Sequence, residues 1–227
     1  MKTISVVVNA RLESSRCPKK HIRNLSGTTL IDECLKKVNE LTNVEEIYLA
    51  AGDNELIDKL NNYENISLLE REKESVVKGQ IPFHIAFAHY KKVSSEYIMI
   101  INPCQPFVDK KVYQDAIDYF KQSEYDGALS VKENKNFYFF QNGEIANFDG
   151  NSRLCSISGP SMLECTHTFM FFKKSFFINN GKMWPNEYDN PHPIKIPNEG
   201  LMDVDTEEDF EIVFSLIRRR NQYESVH

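Results

Sequence analysis

Short β-branched runs alternate with stretches of helical periodicity up to Val131, and no other feature restricts the fold as much. Residues 4–8 (Ile-Ser-Val-Val-Val) read as a buried strand ended by polar residues. Leu30, Ile31, Cys34, Leu35, Val38 and Leu41 recur at helical spacing and predict a helix over about 29–41. Residues 46–51 read as a second strand, and Asp53 or Asn54 caps a short helix to about Asn62. Residues 66–69 make a third strand. Pro82 suits the first turn of a helix running to about Val93. Residues 97–101 form a strong central strand. Val112, Tyr113, Ala116, Ile117 and Phe120 mark another helix, and 127–131 another strand. The alternation predicts an α/β fold with a mostly parallel sheet covered by helices on both faces.

From about 134 to 200 the pattern changes. Residues 137–140, 145–148 and 168–172 read as strands separated by Asn, Gly and Pro turns, and no helix is evident. This predicts a β-rich insertion with a small antiparallel addition, a candidate lid or dimer contact. Trp184 and its flanking prolines read as turn packing. A last helix starts at Thr206, a natural N-cap, with Glu207, Glu208 and Asp209 in its first turn. Phe210, Val213, Leu216 and Ile217 are its expected buried stripe.

Composition removes several function classes. Net charge is −6, from 27 basic and 33 acidic residues, against the basic footprint of a general nucleic-acid binder. No apolar run approaches the roughly 20 residues of a spanning helix, so no membrane role is expected. No secretory signal is evident, and the five cysteines include no C-x-x-C pair. Reduced thiols in a cytoplasm are the expectation. The six histidines do not pair at metal-ligand spacing.

Two segments carry chemistry. Arg11, Ser14, Ser15, Arg16 and Lys20 follow the first strand directly, and the C-terminal ends of strands are where open α/β sheets bind ligands. Arginine grips phosphate oxygens with two donors and lysine acts as a point charge, so the loop suits a polyphosphate. It has neither the Gly-x-Gly-x-x-Gly spacing nor a P-loop ending. A solvated basic loop accounts for the same composition. In the second segment, Asp203-Val204-Asp205, an extended backbone puts both carboxylates on one face, as hard oxygen ligands for Mg²⁺. Capping of the last helix accounts for the same residues.

Together these pieces resemble the acylneuraminate (sialic acid) cytidylyltransferases. Arg11-x-x-Ser14-x-x-x-Pro18-x-Lys20 is similar to that family's N-terminal loop, and Asp203-Val204-Asp205-Thr206 to its Asp-Ile-Asp-Thr. The 101–107 stretch, Ile-Asn-Pro-Cys-Gln-Pro-Phe, resembles its Leu-Gln-Pro-Thr-Ser-Pro-Leu. Asp53 and Arg71 fall where the family has an aspartate after the second strand and an arginine after the third. The enzymes that activate 3-deoxy-manno-octulosonate share the first loop and the last Asp pair. The resemblance implies one nucleotidyltransferase domain over 1–227, with the nucleotide-diphospho-sugar transferase type of sheet. It implies transfer of CMP from CTP to a keto-acid sugar for surface glycan synthesis, with Mg²⁺, in a homodimer. By the same resemblance Arg11, Ser14, Ser15 and Lys20 would hold the triphosphate, with Arg16 assisting. Arg71 would lie near cytosine and ribose, and Asp203 and Asp205 would hold the metal. Asn102, Gln105, Glu164 and His167 would fall on the sugar side.

The departures lie mostly on that sugar side. Ser15-Arg16 stands where the family has Lys-Gly, and His21 where it has Asn. The family's carboxylate-gripping arginine is replaced in Leu163-Glu164-Cys165-Thr166-His167-Thr168-Phe169, and an acid there would repel a substrate carboxylate. The nucleotide half of the motif set is better kept, which predicts nucleotidyl transfer to an unusual acceptor. A different nucleotide, a sugar-phosphate acceptor, or an inactive nucleotide-binding relative are the alternatives.

Overall fold

Residues 4–8 of strand β1 (Ile4–Asn9) are buried on both faces, which explains a run that is apolar but for Ser5, whose hydroxyl is paired with that of Ser95. Ile4, Val6 and Val8 face one core, and Val7 faces the other. The computed structural model describes residues 2–72, 75, 82–149, 151, 155 and 159–224. Its elements run β1, α1 (Leu30–Val38), β2 (Glu46–Ala51), α2 (Asn54–Ile57), β3 (Ile66–Glu70), α3 (Phe83–Ala86), β4 (Tyr97–Ile101), α4 (Lys110–Gln122) and β5 (Gly127–Lys135). There follow β6 (Ser161–Lys173), α5 (Lys174–Asn180), β7 (His192–Lys195) and α6 (Glu207–Glu224). The seven strands form one sheet, ordered β3-β2-β1-β4-β6-β5-β7.

Strands β3, β2, β1 and β4 are mutually parallel. β6 runs antiparallel to both β4 and β5, and β7 is parallel to β5. The expected parallel sheet with an antiparallel addition is therefore present, and β6 is the reversed strand. Helices α1, α2 and α4 supply the core on one face through Ile31, Leu35, Leu56, Tyr113 and Phe120. Tyr90, Val93 and Phe177 close the other face. No helix among the described residues is long and apolar enough to cross a membrane.

Three local expectations need correction. The 137–140 and 145–148 segments form only a short hairpin, with one isolated bridge between Phe139 and Ile145. Helix α5 lies where no helix was read; its Lys-Lys-Ser-Phe-Phe start shows little 3.6-residue periodicity, and its signal is the cap Gly181 at φ +64°. In α6, Phe210, Val213 and Ile217 pack against Cys17, Leu25, Leu30 and Val204, while Leu216 is exposed. Thr206 and Asp209 form a reciprocal cap: the Asp209 amide donates to Thr206 Oγ1 and the Thr206 amide to Asp209 Oδ2.

Candidate active site

Three segments far apart in sequence meet at the C-terminal ends of β1 and β4. They are the loop 10–21, the turn 102–105, and the extended segment 203–205. A cleft of about 500 Å³ opens there, lined by Arg11, Ser14, Ser15, Arg16, Lys20 and Arg71 among others. The predicted phosphate-loop residues are thus on one surface.

The loop is fixed from several directions. Leu12 N donates to Asp53 Oδ2 at 3.1 Å, and Lys19 N to Leu12 O at 3.1 Å. Asp53 stands at the N-cap position of α2, yet its carboxylate makes no cap bond and ties down the loop instead. Ser14 Oγ accepts from Cys17 N at 3.3 Å, a local turn that carries buried Cys17 into the α6 core. His21 is 5% exposed, and its Nδ1 lies 2.9 Å from Arg11 O. A carbonyl can only accept, so Nδ1 carries the proton. Nε2 is then the acceptor for the Cys104 thiol at 3.5 Å. Burial pulls the His21 pKa down to about 4, and burial pushes the Cys104 thiol up to about 11. Both stay neutral near pH 7, so Cys104 is a packing group and not a nucleophile.

Lys20 joins the loop to the acidic segment. Its ammonium donates to Val204 O and lies 3.3 Å from Asp205 Oδ1. Burial works against its charge, but Cys104 and Asp205 outweigh this and hold its pKa above the ordinary value. Arg16 Nη2 also reaches Asp205 Oδ1, at 3.0 Å. Arg11 makes no ion pair among the described residues, so its charge faces the cleft unmatched. Arg71 is 8% exposed, with Nη2 donating to Ser75 O at 2.9 Å and its buried Nε unpartnered.

Asp203 lies beneath this surface. Its Oδ2 accepts from Asn102 Nδ2 at 2.9 Å and from Gln105 Nε2 at 3.4 Å. Burial raises its pKa, and the neighbouring Asp205 charge adds to the rise. Among the described residues each of the two carboxylates keeps one oxygen, Oδ1 of Asp203 and Oδ2 of Asp205, with no hydrogen-bond partner. That suits Mg²⁺, which takes one or two carboxylates and completes its shell with phosphate oxygens and water. No third acid, His or Cys joins them among the described residues.

The sugar-side candidates separate. Asn102 lines the cleft, but its amide is engaged by Asp203 and by Cys104 N, which donates to Oδ1 at 2.9 Å. Gln105 is buried and lines neither cleft described here. It donates to Thr166 O at 2.9 Å, accepts from Thr168 Oγ1 at 2.8 Å, and braces Asp203. Glu164 is directed elsewhere, because cross-strand pairing sets it opposite Lys132, with which it forms a 3.2 Å ion pair. The hydrogen bond from Asn134 and the charge of Lys132 hold its pKa low, and Glu164 lines neither cleft described here.

His167 sits on an irregularity. β5 pairs Leu129 with Met170 and then Val131 with Cys165, so Ser130 alone faces Thr166–Phe169. Ser130 Oγ accepts from Thr168 N at 3.0 Å and Phe169 N at 3.1 Å and so closes the bulge. His167 occupies the left-handed region at φ +53° and lines a second cleft. Such strained bulges gather at functional sites. Sequence reading missed this second cleft, which holds about 610 Å³ and has mostly apolar walls. It shares Asn9, Phe87, Asn102 and Pro103 with the first. The one signal for it was the aromatic and Met content around 83–87 and 183–184.

A model of the cytidylyltransferase family matches residues 5–196. The chain is 27% identical over 134 residues to 3-deoxy-manno-octulosonate cytidylyltransferase 2 of Hydrogenovibrio crunogenus, covering 58% of this chain and 52% of the relative. It is 25% identical over 124 residues to the 3-deoxy-manno-octulosonate cytidylyltransferase of Rickettsia felis, covering 54% and 49%. The chain thus spans about half the length of the curated relatives it matches. Among solved structures it is similar to CMP:2-keto-3-deoxy-manno-octonic acid synthetase complexed with CTP, with TM-score 0.70 and 12% identity over 96% of this chain and 99% of that one. It is also similar to the 4-diphosphocytidyl-2C-methyl-D-erythritol synthase of Anaerococcus prevotii, with TM-score 0.64 and 12% identity over 96% of each chain. At that identity the structural likenesses establish the fold.

Proposed function

The chain belongs to the cytidylyltransferase family, and on that premise we propose that it transfers CMP from CTP to a 2-keto sugar acid of the sialic acid type. The observation that carries this reading is the cation-lined cleft, where Arg11 stands unmatched beside Lys20, Arg16 and Asp205, with Asp203 beneath and one oxygen of each carboxylate without a hydrogen-bond partner among the described residues. The curated relatives act, by name, on 3-deoxy-manno-octulosonate, which is also a keto-acid sugar.

In this reading the anomeric hydroxyl oxygen of the acceptor attacks the α-phosphorus of CTP. The new O–P bond forms as the bond to the β-phosphate bridging oxygen breaks. Pyrophosphate leaves with its electron pair, and the hydroxyl proton passes to water. Such chemistry depends mainly on positioning and charge neutralisation. Arg11 and Lys20 offset charge on the triphosphate, with Ser14 and Ser15 as neutral donors and Arg16 assisting. Arg71 borders the nucleoside end. Asp203 and Asp205 would hold Mg²⁺, which when bound would add positive charge beside the phosphates. The whole chain acts as one nucleotidyltransferase domain, and the region of about 134–200, where Phe139 and Phe140 of the hairpin are exposed, serves as lid or homodimer contact.

Thermal unfolding with CTP, UTP, GTP and ATP, each with and without Mg²⁺, tests the reading. Ligand at 100 times its Kd stabilises the folded state by about 2.7 kcal/mol. The expected result is a shift selective for CTP and larger with Mg²⁺. A shift selective for another nucleotide, or none at all, overturns it.

A further inference from the structure

Helix α6 covers one of its sides and leaves the other bare. Phe210, Val213 and Ile217 pack into the core, while Glu208, Ile212, Leu216, Arg219 and Tyr223 fall on one outward stripe at about 3.6 residues per turn. All five are exposed, Ile212 by 43% and Leu216 by 41%. The apolar spacing of α6 is thus wider than the face the fold covers, and Leu216, which the sequence sets in the buried stripe, is left over.

The stripe is also polarised. Glu207, Glu208, Asp209 and Glu211 open the helix, and Arg218, Arg219 and Arg220 lie in its second half. Arg23 pairs with Glu207, Thr206 with Asp209, and Glu33 with Arg220. Glu208 and Arg219 make no ion pair among the described residues. Arg219 Nη2 donates to Tyr223 Oη at 3.3 Å within the stripe.

Such a pattern is complementary to its own reverse. Ile212 and Leu216 stand two residues either side of position 214. A two-fold axis beside that position sets Ile212 of each copy on Leu216 of the other, so two apolar pairs form at the centre. The same axis brings Glu208 of each copy to Arg219 of the other, with an axial offset of about 1.5 Å. A parallel arrangement would instead set Glu208 on Glu208 and Arg219 on Arg219. Ser215 also lies near the axis, and its Oγ already donates to Glu211 O at 3.0 Å, so burying it leaves no unpaired donor.

We propose that the outward face of α6 is a self-association surface, on which two copies of this chain pair antiparallel about that axis. The 18-residue helix is about 27 Å long, which places the contact among small interfaces and makes the association weak and concentration-dependent. None of the five stripe residues lines either cleft, so the inference is independent of the cytidylyl-transfer reading. The surface is also separate from the region of about 134–200.

Sedimentation velocity of the full chain between about 1 and 500 μM tests it. The wild type should show a reversible step that doubles its mass. Glu208→Arg and Arg219→Glu each set like charges opposite one another at both ends of the contact, and each should weaken the step at least about tenfold. The double variant restores opposite charges and should return the dissociation constant to within about threefold of the wild type. Leu216→Lys disrupts both central pairs and should abolish the step. These side chains are exposed, and far-UV circular dichroism and thermal midpoints check that each variant is folded. No step in the wild type, single swaps that associate as the wild type does, or a double variant no better than the singles would overturn the inference. So would a single step that Phe139→Ser with Phe140→Ser removes and the α6 swaps leave untouched, since the hairpin would then be the contact.

Discussion

Acidification should weaken this protein through His21, by an amount set by the burial of one imidazole. In the folded chain Nδ1–H donates to Arg11 O and Nε2 accepts from the Cys104 thiol, so there is no place for a second proton. Burial lowers the native pKa to about 4, against about 6.5 for the exposed ring of the unfolded chain. The unfolded state therefore binds more protons between these values, and stability falls as pH drops through that window. At about pH 5 protonation favours the unfolded state by a factor of roughly 30 and the native state hardly at all, which is about 2 kcal/mol. At about pH 7 the same term is near zero. His89, pulled down to about 3 by burial, acts with the same sign. Subtraction against a variant isolates His21. Urea unfolding of the wild type and of His21→Asn is measured at about pH 7 and about pH 5. Asparagine can imitate the Nδ1 donor but cannot titrate. The wild type should lose about 2 kcal/mol more than the variant on acidification. Equal losses would refute the assigned tautomer and the claim that burial holds His21 neutral.

Three further outcomes follow from the site. Asp203→Asn and Asp205→Asn should each cut turnover on the order of 10²-fold and abolish the extra CTP-induced thermal shift that Mg²⁺ gives. Near-normal rates and shifts in both would remove the metal assignment. Lys20→Ala should lower kcat by about 10²-fold, since it deletes a cation from the proposed phosphate surface and the tie to Val204 O. An unaltered rate would mean the loop is not the phosphate site. Ser130→Ala should lower unfolding free energy by about 1–3 kcal/mol in urea, because Thr166 Oγ1 and the Thr168 and Phe169 amides lose a buried acceptor. A cost below about 0.5 kcal/mol would mean that the bulge is held by the strands alone.

The parallel part of the sheet was legible because burial on both faces writes a mostly apolar run into β1 and a continuous one into β4, and because α1 and α4 show clean helical spacing. β6 was half legible. Residues 168–172 are core, but Ser161–Cys165 are exposed, Met162 and Leu163 included, and pair only with the outer end of β5. A strand held mainly by backbone pairing leaves little trace in its side chains. The bulge at His167 could not be read, because its cause is Ser130 on another strand. The gathering of Arg11, Ser14, Ser15, Arg16, Lys20, Arg71 and Asp205 at one cleft was legible as residue types at particular offsets. Gln105 was read as a substrate contact and is a buried brace, since sequence cannot tell an amide facing a cleft from one facing a carboxylate behind it. Trp184 was read as turn packing; its ring does pack on Gly127, and its other side walls the second cleft.

The same cross-links that were hardest to read also decide how the site can work. Val204 N donates to Cys104 O at 3.0 Å, Lys20 donates to Val204 O, and Asn102 donates to Asp203. His21 closes the circuit between Arg11 O and Cys104. Loop, turn and acidic segment are thereby one frame, with its nonpolar side sealed by Cys17, Leu30, Val204 and Phe210. On the proposed cytidylyl transfer, preorganised charges would need no rearrangement as charge shifts to the leaving group, and that is where electrostatic catalysis gains most. Arg16 is the exception: it is 64% exposed and its contact in this frame is the Asp205 carboxylate. An exposed pair of this kind is worth little, so Arg16 can leave Asp205 for a phosphate at small cost. Removal of Arg16 should therefore change turnover while leaving stability nearly untouched. Removal of His21 or Gln105 should change both, because those residues hold the frame that the charged groups stand on.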